Sequence, residues 1–155
     1  MTRKTAGPKN YDDVPLSALL QAARGTYTHA MEAAQSRIGC EDLSATGGYI
    51  VSAMHWSGAP LDAVVRWMGV TKQAVSQSVD TLVVRGYLAR SEDPSDRRRV
   101  NLTLTDRGRA AGKAARSAIE RVDRRLADRV GARKVADTRA TLVALLQMDA
   151  RSRRA

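Results

Sequence analysis

The side chains best suited to specific hydrogen bonding lie close together between positions 71 and 77. They are a threonine, a lysine, two glutamines and a serine: Thr71, Lys72, Gln73, Ser76 and Gln77. At about 100° of rotation per helical residue, the two glutamines point away from an apolar face in the same stretch, formed by Val75, Val79, Leu82 and Val83. Glutamine can read the edge of a nucleic acid base and lysine can reach a phosphate, although a merely solvated polar face has the same pattern.

The neighbouring segments are the elements that must position these side chains. Two short stretches with helical apolar spacing, 61–68 and 72–84, flank a turn at 69–71, which predicts a helix-turn-helix with Thr71 as an N-cap. Alternating apolar residues at 87–91 and 100–104 predict a β-hairpin, whose tip carries a turn cluster at 93–96 and three arginines at 97–99. Such a helix fits the major groove of DNA, and an arginine on such a hairpin can enter the minor groove. We expect Asp80, a negative charge near this face, to pair with an arginine.

The net charge narrows the class of partner. The 155 residues include 26 Lys and Arg against 16 Asp and Glu, which gives a net charge of +10. This excess favours a polyanion, either nucleic acid or an acidic membrane surface. No membrane partner is expected, because no stretch approaches the roughly 18 apolar residues of a span and no amphipathic helix pairs a basic face with bulky apolar side chains. The single cysteine and the lack of a leader predict a soluble cytoplasmic protein without disulfides.

Enzyme chemistry is not expected from this sequence. It lacks paired carboxylates on a common face, a Ser-His or Cys-His arrangement at a recognised spacing, and a glycine-rich phosphate loop. We therefore predict no catalytic site and no cofactor, and the scattered His29, Cys40 and His55 do not predict a metal site. Cys40 is expected to be a buried thiol, with a redox switch as the alternative.

Long helices flank the predicted helix-turn-helix and hairpin. Apolar residues recur at helical spacing over 14–38, which predicts a first helix that ends at Gly39, and a shorter helix capped by Ser44 is expected to reach Trp56. The same spacing predicts a long helix from Thr105 to Gly131 and a last helix at 134–148. The apolar stripes of the first and last two helices are longer than one small domain can cover, so a partner chain is expected to complete the core. The predicted fold is mainly α with a small β-wing. Its organisation is a basic arm at 1–10, an N-terminal dimerisation helix at 11–40, a DNA-binding domain at 41–105, C-terminal dimerisation helices at 106–150 and a basic tail at 151–155.

An ordered set of short motifs runs from position 61 to position 108. It comprises GVTKQAVS at 69–76, Leu82, RGYL at 85–88, DPSDRR at 93–98, Leu104 with Thr105, and Gly108. In this order the set resembles the winged-helix core of the MarR (multiple antibiotic resistance regulator) family, including its Asp-x-Arg wing signature and its Leu-Thr-x-x-Gly motif. A looser resemblance continues through the flanking helices.

The resemblance implies a sequence-specific double-stranded DNA-binding transcriptional regulator, expected to be a ligand-responsive repressor. In the family, a homodimer with intertwined N- and C-terminal helices sits on a near-palindromic operator, and a phenolic or lipophilic molecule, or an oxidant, releases many members from DNA. The base-reading positions carried over are Thr71, Lys72, Gln73, Ser76 and Gln77. The wing positions carried over are Arg97 and Arg98, with Asp96 orienting the wing arginine. Position 77 often carries arginine in relatives, so Gln77 implies a different preferred base.

Several alternatives remain open at this point. A nonspecific basic architectural protein could coat DNA by charge alone, although the largely uncharged polar face argues against it. Four side chains are candidates to line an effector cleft, with ordinary core packing as the favoured interpretation: Tyr27, Tyr49, His55 and Trp56. The arginines between 107 and 129 are expected to form a solvated face.

Overall fold

The described part of the chain is mainly helical, with one two-stranded sheet. The computed structural model describes residues 11–58, 72–92 and 100–152. Within these residues the elements are α1 (Leu16–Ser36), α2 (Ala45–Ser57), α3 (Lys72–Val84), β1 (Leu88–Glu92), β2 (Val100–Leu104), α4 (Asp106–Val130) and α5 (Ala132–Ser152). The predicted fold class is confirmed. The predicted helix at 61–68, the turn at 69–71 and the hairpin tip at 93–99 lie outside the described residues.

Helix α1 ends at a glycine turn, as the sequence predicts. Gly39 has φ +75°, in the left-handed region that glycine enters without a steric penalty. The Gly39 N–H donates to the Ser36 carbonyl at 3.0 Å, and the Cys40 N–H donates to the Gln35 carbonyl at 3.1 Å. This pair of bonds is a Schellman motif, which satisfies carbonyls that the helix end leaves without intrahelical partners. At the other end α1 begins after Pro15, later than the predicted start at 14.

Helix α2 lies in the centre of the core. Ser44 caps it as predicted, because the serine side chain accepts the Gly47 N–H at 3.1 Å. The two glycines that weaken this helix in the sequence face neighbouring helices. A methyl group at Gly47 would lie 3.1 Å from the Leu82 side chain, and one at Gly48 would lie 3.0 Å from the Gln35 side chain. The glycines therefore allow a close approach that compensates for their poor helix propensity.

The hairpin packs on the same core. Strands β1 and β2 are antiparallel, with Leu88 opposite Leu104 and Glu92 opposite Val100, and β1 begins one residue later than predicted. Tyr87 and Leu88 are buried beneath the hairpin. They join apolar side chains from three helices: Ile50, Val51 and Met54 of α2, Val79 and Leu82 of α3, and Ala111 of α4. The base of the hairpin is thus part of the core.

Helices α4 and α5 are the last two described elements. Thr105 caps α4 by accepting the Gly108 N–H at 3.0 Å, and Gly131 follows its last turn, both as predicted. The buried face of α4 uses small side chains, Ala111, Ala115 and Ala118. Helix α5 extends to Ser152, beyond the predicted end at 148, and exposes a run of large apolar side chains: Val143, Leu145, Leu146 and Met148. None of the described helices combines the length and apolarity that crossing a membrane requires.

Candidate nucleic-acid interface

Helix α3 has the two faces that the sequence predicts. Val79 and Leu82 are buried, whereas Ser76 and Gln77 are exposed. The Gln77 amide is held on an exposed surface by a helix whose opposite side is fixed in the core, which is the arrangement needed to read base edges. Among the other candidates, Lys72 and Gln73 form the first turn of α3, where the structure describes the backbone. Thr71, Asp96, Arg97 and Arg98 lie outside the described residues.

An ion pair connects α3 to the hairpin. The Arg90 guanidinium of β1 donates to the Asp80 carboxylate of α3, which confirms the prediction that Asp80 pairs with an arginine. The two side chains are 51% and 61% exposed, so the pair adds little to stability. Its effect is electrostatic, because it neutralises a negative charge on the polar side of α3, where a polyanion would otherwise be repelled.

A second polar cluster lies where α3 ends, and sequence reasoning missed it. We call it the Asp42 cluster, and it consists of Asp42, Arg85, Tyr87 and Arg107. The Asp42 carboxylate accepts the Tyr87 hydroxyl at 2.5 Å and the Arg107 Nη2 at 2.9 Å. The Asp42 carbonyl accepts the Arg85 guanidinium. One residue between α1 and α2 therefore binds the end of α3, the start of the hairpin and the first turn of α4.

Arg107 does not belong to a purely solvated arginine face, which corrects the expectation for this residue. Its guanidinium lies 4.3 Å from the centre of the Tyr87 ring. It also donates to the Arg85 carbonyl at 2.6 Å and to the Gly39 carbonyl at 3.3 Å. A guanidinium has a fixed fork of donors and stacks on aromatic rings, so it can satisfy carbonyls from two turns at once.

The start of α4 approaches the hairpin base closely. Thr105 donates its hydroxyl to the Gly86 carbonyl at 2.6 Å, and its N–H donates to the Tyr87 carbonyl at 3.1 Å. A methyl group at Gly108 would lie 2.1 Å from that same Tyr87 oxygen. The Arg-Gly-Tyr-Leu motif supplies the carbonyls of the α3–β1 turn, and the Leu-Thr-x-x-Gly motif supplies the threonine that bonds them and the glycine that lets α4 approach. This contact is a physical reason for both motifs.

The Asp42 cluster shifts the ionisation of its members. The hydrogen bond from Tyr87 is the main cause that lowers the pKa of Asp42 below its ordinary 3.8, and the charges of Arg107 and Arg85 act in the same direction. Burial and the bond to Asp42 raise the pKa of Tyr87. At neutral pH the carboxylate is therefore ionised and the phenol is neutral, which is the pairing that the geometry requires.

Asp42 should make the fold sensitive to acid. Because its pKa is lower in the folded chain than in the unfolded chain, its stabilisation is complete above about pH 4 and is lost as the pH falls through the lowered value. Asp42→Asn is therefore expected to flatten the fall in unfolding free energy as the pH drops below about 4, measured by urea denaturation. Asp128→Asn, at an exposed carboxylate of α4, serves as the control. An unchanged acid dependence in Asp42→Asn would contradict this role.

Two of the four effector-cleft candidates, Tyr27 and Tyr49, have hydrogen-bond partners on neighbouring helices, whereas Trp56 is 48% exposed, so the favoured interpretation of core packing is wrong for Trp56. The Tyr27 hydroxyl of α1 donates to the Asp123 carboxylate of α4 at 2.6 Å, and burial is the main cause that raises the pKa of Tyr27 to about 12. The Tyr49 and Thr28 hydroxyls are 2.9 Å apart and link α2 to α1. Cys40 is buried, as predicted. The described residues contain no cluster of three His, Cys, Asp or Glu side chains able to hold a metal ion.

Both the sequence and the fold of this chain are similar to those of known proteins. Residues 61–99 match the sequence model of a family described as the MarR family. The Staphylococcus aureus MepR–DNA complex matches with a TM-score of 0.69 at 18% identity, covering 88% of this chain and 99% of that one. A mutant MarR from Escherichia coli complexed with operator DNA matches with a TM-score of 0.67 at 20% identity, covering 90% and 99%.

A third solved structure has a bound small molecule. It is a MarR family protein of Mycobacterium tuberculosis in complex with salicylic acid, with a TM-score of 0.60 at 28% identity, covering 88% of this chain and 99% of that one. No curated protein sequence matches this chain. The family match and the structural matches together confirm the resemblance to the MarR family.

Proposed function

We propose that this chain, with its MarR-family segment at 61–99 and its winged-helix fold, is a transcriptional regulator that binds double-stranded DNA sequence-specifically. The observation that carries the proposal is helix α3, whose Ser76 and Gln77 are exposed while Val79 and Leu82 anchor it in the core. The hairpin next to α3 and the net charge of +10 supply the elements that a winged helix uses on DNA. Thr71, Lys72, Gln73, Arg97 and Arg98 complete the proposed contacts, with Asp96 orienting the wing.

The proposed assembly is a homodimer on a near-palindromic operator. A two-fold dimer carries two recognition helices, which fit successive major grooves when they lie about 34 Å apart. The exposed apolar side chains of α5 support this assembly, because monomeric proteins rarely leave such a run open to solvent. DNA complexes of two structurally similar proteins support the same binding mode.

The decisive experiment is selection of bound duplexes from a random pool. The expected result is one enriched site with dyad symmetry, whose affinity falls steeply with salt because phosphate contacts release counterions. A nonspecific architectural protein would show the same salt dependence without any enriched sequence. Equal affinity for the selected site and a scrambled duplex would therefore contradict the proposal and favour that alternative.

Gln77 is expected to specify one base pair in each half-site. Gln77→Ala removes an amide that can bond a base edge in two places, so discrimination at that base pair should fall by about 1–3 kcal/mol. Competition binding with duplexes substituted at each position measures this loss. Gln21→Ala, at an exposed glutamine of α1, should leave the preference at every position unchanged. If Gln77→Ala keeps the wild-type preference at every base pair, Gln77 does not read a base.

Repression and response to a small phenolic or lipophilic effector are the finer part of the proposal. Support comes from the structurally similar protein that has bound salicylic acid. Salicylate should release the chain from its selected operator in a concentration-dependent way. If no phenolic compound lowers operator affinity, the regulator acts without this class of effector.

A further inference from the structure

We propose that Asp42 is a positioning residue that fixes the direction of helix α3 relative to the flanking helices. This inference rests on the proposed function, because the direction of α3 would set where the reading face meets the DNA. It starts from the topology of the Asp42 cluster. Asp42 belongs to the turn between α1 and α2, yet its partners come from the α3–β1 turn and from α4.

The cluster anchors one end of α3. Arg85 follows the last residue of α3, and its side chain donates to the Asp42 carbonyl while its own carbonyl accepts Arg107. Tyr87, which is completely buried, donates its hydroxyl to the Asp42 carboxylate. The end of α3 is thus tied to the α1–α2 turn and to helix α4 through hydrogen bonds with fixed directions. Further back along α3, Val79, Leu82 and Val83 pack against the core, and apolar packing of this kind allows a helix to tilt more easily than directed hydrogen bonds do.

The Asp42–Arg107 ion pair is exposed enough that its effect on the direction of α3 can be distinguished from an effect on overall stability. Asp42 and Arg107 are 38% and 41% exposed, so solvent screens their attraction and the pair contributes modestly to the folding free energy. What the cluster supplies is geometry, because one carboxylate, one phenol and a forked guanidinium satisfy one another in a single arrangement. Loss of the cluster should therefore leave the fold intact and broaden the range of directions that α3 adopts.

The first test needs no DNA. Spin labels attached at Gln77→Cys on α3 and Lys113→Cys on α4 report the distance between these helices within one chain, when the labelled chain is diluted with unlabelled chain. The native Cys40 is kept, because its buried thiol is shielded from the labelling reagent. We expect one narrow distance distribution in the otherwise unchanged chain and a broader one in both Asp42→Asn and Tyr87→Phe. Tyr87→Phe keeps the ring under Arg107 and removes only the hydroxyl that Asp42 accepts, so it remains informative if the Asp42 variant folds poorly.

The second test measures the consequence for DNA with unlabelled protein. The selected operator is compared with duplexes in which the half-site spacing differs by one base pair. The spacing penalty is the factor by which affinity falls when the half-site spacing changes by one base pair. In the Asp42 and Tyr87 variants this factor should shrink by about 2- to 30-fold, the usual range for residues that couple two parts of a protein. Glu120→Gln breaks an exposed Arg116–Glu120 ion pair on α4 and is the matched control, expected to change neither the distance distribution nor the spacing penalty.

The outcomes separate this inference from the proposed function. If the wild-type chain selects no duplex, the proposed function fails, and the distance distributions still decide whether Asp42 fixes α3. If the wild-type chain binds a dyad-symmetric operator but both cluster variants keep a narrow distribution and the full spacing penalty, the positioning role is wrong while the regulator remains. A broadened distribution in Glu120→Gln would also overturn it, because any lost ion pair would then have the same effect.

Discussion

Gly108→Ala is expected to destabilise the protein by about 3 kcal/mol, although alanine is the better helix former by about 1 kcal/mol. The new methyl group would lie 2.1 Å from the Tyr87 carbonyl oxygen and 3.1 Å from the Leu104 side chain. That oxygen also accepts Thr105, so it cannot move away without losing the bonds that hold α4 to the hairpin. Urea denaturation at a fixed chain concentration measures the loss.

Two other helical glycines serve as comparisons for Gly108→Ala within the same protein. Gly112→Ala would place its methyl group 2.5 Å from the His55 Cβ and should destabilise in the same way. A methyl group at Gly25 of α1 would meet no atom within 4 Å beyond the backbone of its own helix, so Gly25→Ala should stabilise by about 0.5–1 kcal/mol. Equal or greater stability of Gly108→Ala relative to wild type would show that α4 does not approach the hairpin as closely as described.

Leu146→Lys is expected to dissociate the proposed homodimer and to abolish operator binding. Leu146 is 59% exposed on α5 beside Val143 and Met148, so a second copy would be needed to cover it. A second copy would cover the exposed 59% of each Leu146, so losing this burial in both chains costs about 2–4 kcal/mol and raises the dimer dissociation constant by roughly 30- to 10³-fold. Sedimentation equilibrium measures the assembly, and a gel-shift titration measures the binding.

The sign of the introduced charge makes this result unambiguous. Lysine raises the positive charge of each chain, which by itself strengthens attraction to phosphate. Weaker operator binding must then come from the lost assembly. Gln147→Lys adds the same charge at the adjacent position and should keep both the dimer and the affinity. A fully dimeric Leu146→Lys variant would mean that this apolar run is not covered by a second copy.

The elements that the sequence predicts well depend on neighbouring residues. Ser44 and Thr105 cap their helices through bonds to amides three residues away, and Gly39 closes α1 through bonds of similar range. The exposure of Ser76 and Gln77 follows from the helical repeat alone. Such features need only residue types and spacing within one or two turns. Their contact with DNA stays a prediction, because exposure does not identify what a side chain touches.

The Asp42 cluster shows why the rest could not be predicted. Asp42 lies 43, 45 and 65 positions from Arg85, Tyr87 and Arg107, and no periodicity connects residues at such separations. Arg107 has the pattern of a solvated arginine because its neighbours on α4 are charged, yet the Tyr87 ring lies under it. Gly47 and Gly48 likewise reduce helix propensity, and the reason for their presence is the packing of Leu82 and Gln35. These roles are set by tertiary contacts.

The placement of Arg107 has a consequence for synthesis of the chain on the ribosome. Asp42 and both of its partners around the α3–β1 turn are translated before the arginine that stacks on Tyr87 and closes the cluster. A nascent chain stopped before the first turns of α4 emerge would therefore hold α3 by side-chain packing and the Arg85 and Tyr87 bonds alone. Under the proposed function, competence to read DNA would arrive late in translation, together with the helices that are proposed to bind a second copy, so that half-made chains would not compete for operators.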